Sequence, residues 1–266
     1  AEWATFRTAD RVIATNQSYR EIALRRGQMP PERVVVVRSG PRLNRFQALP
    51  PRPESKNGQP YLVGYLGVMG PNDGLDVLLK AAAHIVHDLQ RTDVHFVLIG
   101  GGDLYAELVA MNRALRLEPW VRFTGRIPDD EVSALLSAAD LCVAPDPKDA
   151  LNDVSTMNKI IEYMAMAKPI VAFDLREARV SAGDAAVYAR CNDAAAFGDK
   201  IVALLEQPEQ RHAMGVRGRR RFEQQLAWEH QEQALLGLYR ELIGTPAARG
   251  PLLASPVSGS AHRGGT

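Results

Sequence analysis

One stretch of the sequence gathers most of its chemistry: Asn152-Asp-Val-Ser-Thr-Met-Asn-Lys-Ile-Ile-Glu-Tyr-Met-Ala-Met166. Asp153, Ser155 and Thr156 are residue types that cap a helix start, because their side-chain oxygens accept from its unpaired N–H groups. Met157, Ile160, Ile161 and Met164 recur at helical spacing and make one apolar face. The spacing predicts a helix over 155–166. Ser155, Asn158, Lys159 and Glu162 fall on its other side, where solvent is the ordinary expectation. A helix start also presents free N–H groups and the positive end of the helix dipole, which together favour an anion. Lys159 adds positive charge close by. Glu162 lies roughly 10 Å along the axis from Ser155. That matches the reach from a diphosphate to a nucleoside ribose, whose vicinal hydroxyls suit a carboxylate acceptor.

This helix must be placed by what surrounds it. Short apolar runs at 11–14, 34–37, 61–66, 95–99, 121–123, 141–144 and 170–173 are rich in Val, Ile and Leu. Amphipathic stretches at 18–26, 75–88, 104–115, 130–139 and 155–166 alternate with them. Continuous apolar strands suit a parallel sheet covered on both faces, and the alternation predicts a doubly wound α/β fold. In such sheets ligands bind beyond the carboxyl ends of the strands. Those ends carry Gly67, Gly70 and Gly74, then Gly100-Gly101-Gly102, then Gly125-Arg126-Ile127, then the long loop 145–154. Each glycine turn alone says little. Several on one edge predict a cleft. No Gly-Lys-Ser/Thr follows either glycine cluster, so neither is a Walker loop. The dinucleotide pattern is met only in part at Gly67 and Gly70, which disfavours a nicotinamide enzyme.

The whole chain excludes several classes. It has 266 residues, 46% hydrophobic and 24% charged, with a net charge of +1, so nothing demands a nucleic acid partner. No apolar run approaches the ~20 residues of a membrane span, and the first residues hold no signal-peptide core. Two scattered cysteines, Cys142 and Cys191, make neither a zinc site nor a disulfide framework and fit a reducing cytosol. No metal site is expected. The arginines at 217, 219, 220 and 221 read as a solvated helix face; contact with an anionic membrane surface is the second reading. The proline-rich segment 47–60 reads as a linker. Before it stand only two strands and one helix, so residues 1–46 are expected to be the end of another domain whose main part is absent. Residues 61–227 form the main domain, 228–243 a final helix, and 244–266 a disordered tail.

At the helix of 155–166 the sequence resembles a known family. Glu162-Tyr-Met-Ala-Met-Ala-Lys-Pro-Ile-Val-Ala172 is similar to the E-A-M-A-x-G-K-P-V-V segment of family-four retaining glycosyltransferases of the GT-B fold. The segments 94–103, 121–128, 139–145 and 74–81 resemble further motifs of that family, in order, and the likeness runs over about residues 9–243. It implies two Rossmann-like domains around a cleft, with this chain as the C-terminal, donor-binding half and residues 1–46 as a remnant of the acceptor domain. It implies a nucleoside diphosphate sugar as donor substrate, no cofactor, and a glycan or lipid-linked acceptor. The enzyme would be cytoplasmic, at most peripheral to the inner membrane face, and this chain inactive without its N-terminal domain. Glu162 would meet the ribose, the Ile127 backbone the nucleobase, and Ser155, Thr156 and Met157 the diphosphate, with Gly67, Gly70 and Gly101 lining the site.

Three positions depart from the family. Its other paired glutamate falls on Val154, and its phosphate-binding Arg and Lys fall on Val68 and Asp73. Asp153 or Asn152 would replace the glutamate and Lys159 the basic pair, with Asp153 and Lys159 as the catalytic candidates. Similar departures mark a subgroup associated with surface-polysaccharide synthesis. The competing readings are a non-catalytic nucleotide-sugar-binding module and a GT-B-type sugar-nucleotide epimerase.

Overall fold

The computed structural model describes residues 2–47, 49–50 and 53–244. The expected tail over 244–266 therefore lies outside the described residues except for Gly244. The chain opens with α1 (Glu2–Thr8), β1 (Val12–Ala14), α2 (Gln17–Arg25) and β2 (Val34–Val36). The main body follows as β3 (Tyr61–Leu66), α3 (Leu75–Ala83), β4 (Val94–Ile99), α4 (Tyr105–Ala114), β5 (Val121–Gly125), α5 (Asp129–Ala138) and β6 (Leu141–Ala144). It continues with α6 (Asn158–Ala165), β7 (Ile170–Phe173), α7 (Arg176–Ala182), β8 (Ala186–Ala189), α8 (Ala194–Leu205), α9 (Pro208–Arg221) and α10 (Trp228–Ile243).

The continuous apolar runs become the interior of a six-stranded parallel sheet, in the order β5-β4-β3-β6-β7-β8. Every residue of β4, β6 and β7 is buried, because helices cover both faces. This is the α/β doubly wound, Rossmann-like sheet that the alternation predicts. Strand order reverses between β3 and β6. Their loops therefore leave in different directions and open a crevice at the carboxyl ends.

The first segment pairs differently. β1 and β2 form their own two-stranded parallel sheet, with a small core of Ala14, Ala23, Met29 and Val34. Phe46 already belongs to the main core. The last helix returns to the first segment. The Trp228 N–H donates to the Pro41 carbonyl and the Gln231 carboxamide accepts from the Arg38 N–H.

Two expectations change. The helix predicted over 155–166 begins only at Asn158. Residues Asn152–Val154 make a 3-10 turn and Ser155 and Met157 are extended, so Asp153, Ser155 and Thr156 do not cap α6. The arginines of α9 are not simply solvated. Arg219 donates to the Ala165 carbonyl at the end of α6, Arg221 to Val180 and Ser181 at the end of α7, and Arg217 to Asp184. Cations at helix ends satisfy the last carbonyls and oppose the dipole.

Candidate functional site at the sheet's switch point

Tyr163 sets the shape of the crevice. β3 and β6 pair only at Val63–Leu141 and Gly64–Cys142. Beyond that the strands part, and the buried Tyr163 hydroxyl stands between them. It accepts from the Leu66 N–H at 2.8 Å and donates to the Val143 carbonyl at 3.1 Å.

The loop after β3 forms one wall and is tied to itself. The Asp73 carboxylate accepts from the Gly70 N–H at 3.1 Å, and the Tyr65 hydroxyl donates to the Val68 carbonyl at 2.6 Å. The Gly67 N–H donates to the Ile99 carbonyl. Gly67 and Gly70 thus give the site room, while their N–H groups are already engaged. Gly100 has φ +128, and a Cβ there would stand inside contact distance of the Gly67 carbonyl. Only glycine lets the loops after β3 and β4 touch at this point. The neighbouring Gly101 accepts from the Met69 N–H.

Lys159 does not reach into solvent. Its side chain is 8% exposed, and its ammonium lies 2.5 Å from Asp146 and 3.2 Å from Asp73, above the Tyr65 ring. Burial alone would lower its pKa; Asp146, Tyr65 and Asp73 outweigh burial and hold it above the ordinary lysine value. Two carboxylates face one ammonium, so this cluster carries no spare positive charge. Lys159 thus reaches the loop after β3, where the sequence reading puts it, with its charge already met by two carboxylates. The other catalytic candidate is also occupied. Asp153 accepts from the Arg176 N–H at 3.0 Å, at the start of α7, and lies 3.4 Å from the Lys148 ammonium. Its carboxylate serves that helix start.

The opposite wall is the turn leading into α6, and it is open. Among the described residues the N–H groups of Thr156, Met157, Asn158 and Lys159 meet no acceptor. Four such groups at a helix start make an anion site of backbone dipoles. The side chains here are employed differently. The Ser155 hydroxyl pairs with that of Tyr19 at 2.8 Å, and the Thr156 hydroxyl accepts from Asn16 at 3.0 Å.

Glu162 sits roughly 6 Å along the axis from Asn158. Its carboxylate has no hydrogen-bond partner among the described residues and faces a cavity of about 230 Å³ lined with Arg45, Phe46, Leu66, Gly67, Val68, Asp129 and Val132. Burial pushes its pKa up, while Arg45 and Lys159 pull it down. A larger cavity, about 460 Å³, lies against β1 and α2, outside the six-stranded sheet. We place the chemistry at Glu162, whose free carboxylate follows the free N–H groups of the α6 start. The Ile127 backbone N–H and carbonyl are likewise unpaired at the mouth of β5. Among the described residues no group of three or more His, Cys, Asp or Glu gathers as metal ligands.

Residues 60–207 match the family model described as Glycosyl transferases group 1. The chain belongs to that family. It is 27% identical over 260 residues to a D-inositol 3-phosphate glycosyltransferase of Salinispora tropica, covering 91% of this chain and 53% of that protein. It is 30% identical over 163 residues to a D-rhamnosyltransferase of Pseudomonas aeruginosa, covering 60% of this chain and 40% of that protein. The chain thus spans about half the length of the curated relatives it matches. Among solved structures, a glycosyltransferase from Rickettsia africae superposes with a TM-score of 0.75 at 16% identity, over 91% of this chain and 67% of that one. An Anabaena protein solved in complex with UDP gives 0.73 at 20% identity, over 89% and 65%. These likenesses show the fold.

For a group 1 glycosyltransferase chain, several residues at the crevice escaped the sequence reading. Asp146 lies between two prolines and looks like a turn residue. Tyr163 looks like part of an apolar face. Asn16 and Tyr19 are far from the site in sequence. Only the pairing of Lys159 with two carboxylates had a signal: the basic residue had moved from the loop to the helix while Asp73 took the loop position.

Proposed function

We propose that this chain binds a nucleoside diphosphate sugar in the crevice and that the protein transfers the sugar, with retention, to a glycan or lipid-linked acceptor in surface-polysaccharide synthesis. The observation that carries the reading is the juxtaposition on α6. Four unpaired N–H groups suited to a diphosphate lead into a helix whose first turns present an unpartnered carboxylate suited to ribose hydroxyls. The free backbone at Ile127 supports a nucleobase at the mouth of β5. In this reading residues 61–227 hold the donor, residues 1–46 close the acceptor side, and 228–243 crosses between them. The departing diphosphate is stabilised by backbone dipoles already in place. Calorimetry of the chain with UDP, GDP and ADP tests the first step: one of them binds, and its parent nucleoside binds more weakly. Binding of none would overturn the reading.

A second reading, a non-catalytic nucleotide-sugar-binding module, is favoured by the charge-compensated Lys159 and by Val68, 61% exposed on the loop. Release of free sugar from the bound donor separates the two, since a module leaves the donor intact.

A further inference from the structure

We infer that Asn16 is a positioning residue for the crevice: from the β1–α2 junction it fixes Val154 and Thr156, and so aims the free N–H groups that follow them. The inference rests on the reading of that turn as the diphosphate site.

Asn16 is fully buried and is the second residue after the end of β1. Its carboxamide oxygen accepts from the Tyr19 N–H at 2.8 Å and caps α2. Its nitrogen spends both hydrogens on the turn, one on the Val154 carbonyl at 2.8 Å and one on the Thr156 hydroxyl at 3.0 Å. The amide cannot be reversed. The Tyr19 N–H only donates and the Val154 carbonyl only accepts, so a flip would set donor on donor and acceptor on acceptor. Capping α2 needs an acceptor alone, which Ser or Asp would supply equally well. The two donors have no part in that cap, and both go to residues 138 and 140 positions away.

The neighbours repeat the arrangement. The Tyr19 hydroxyl pairs with Ser155, Ser155 donates to the Leu151 carbonyl at 2.7 Å, and the Ser39 hydroxyl donates to the Asn158 side chain at 2.9 Å. Residues 154–158 are thus pinned from a part of the chain distant in sequence. α6 has no side-chain cap of its own. The orientation of its free N–H groups is set from outside, and Asn16 alone makes two of the bonds that set it.

Asn16→Asp separates the two duties. The carboxylate keeps the cap on α2, loses both donors, and stands against the Val154 carbonyl. The whole chain is titrated with UDP, GDP and ADP and with the matching nucleosides, and amide hydrogen exchange is followed residue by residue. N16D should weaken the diphosphate that the parent binds at least tenfold, and its nucleoside less than twofold. The Ser155 and Ile160 amides, which bond within the turn, should exchange at least tenfold faster, with α2 unchanged. Unchanged affinity and exchange would overturn the inference. So would an equal loss for nucleoside and diphosphate, which marks a general structural role. Should N16D fail to fold, Tyr19→Phe removes only the hydroxyl bond to Ser155. It should give a two- to fivefold loss for the diphosphate alone, and no loss would refute the pinning. A parent that binds no diphosphate fails the nucleotide reading, while the exchange comparison still decides the role of Asn16.

Discussion

The loop after β3 and the turn before α6 face each other across one crevice, and they are held in opposite ways. The loop satisfies itself. Asp73 takes the Gly70 N–H, Tyr65 takes the Val68 carbonyl, and Lys159 is balanced by Asp73 and Asp146. The turn satisfies little of itself and is fastened by Asn16, Tyr19 and Ser39. On the loop's wall the N–H groups of Gly67, Met69, Gly70 and Asp73 are taken, and Lys159, reaching across from α6, has its charge met by Asp73 and Asp146. The other keeps four N–H groups free because its side chains are anchored elsewhere. The contrast teaches that a positive residue beside a cleft is no measure of how the cleft meets an anion. What counts is which donors remain unspent.

The contrast breaks most visibly at Lys159. Lys159→Ala leaves two carboxylates in a buried site, and unfolding by denaturant should show a loss of about 3–5 kcal/mol. Replacing Asp73 and Asp146 by Asn and Lys159 by Met together should restore part of it, since no uncompensated charge is then left buried. A mild loss in Lys159→Ala would show that the loop does not depend on this pairing.

The open wall is tested through Glu162. Glu162→Ala should weaken nucleoside diphosphate binding by about 1.5–3 kcal/mol, by removing a charge-assisted hydrogen bond, with little change in stability. Equal affinities by calorimetry would make Glu162 a solvated helix residue. The pH dependence has a defined sign. Burial raises the Glu162 pKa, so its ionised form is lost at a higher pH than for an ordinary glutamate. Binding should therefore weaken on acidification, beginning above the usual carboxylate range, and Glu162→Gln should abolish that slope.

The smallest effect guards against confusing binding with stability. His84 bonds to Asp88 and Asp199 between α3 and α8, in neither wall, and these bonds raise its pKa. Its contribution is complete below about pH 6.5, the unfolded value, and is lost as pH rises through the raised one. Thermal melts should show a loss of a few tenths of a kcal/mol on going alkaline, absent in His84→Gln. Its sign opposes that of Glu162, so one titration cannot mimic the other.

The sequence made the central sheet legible because its strands are buried on both faces and so run apolar without interruption. β8 was not marked out, since Ala186-Val-Tyr-Ala189 is a short edge strand with half-exposed side chains. Glu162 was legible from its spacing. The burial of Lys159 was not legible for a physical reason: helical period sets it opposite the apolar face, which means solvent only where one face is covered. α6 lies at the crevice and is covered on two sides. The start of that helix was placed three residues early because Ser155 and Thr156 look like caps. Their partners, Tyr19 and Asn16, come from more than a hundred positions away, and no local pattern announces them.

Tyr163 has one more consequence. Its phenol takes the place of a rung in the ladder where β3 and β6 part, so the fork is propped apart by covalent structure within the protein. The width of this gap is set by a side chain of the protein itself, with no bound molecule needed to hold it open.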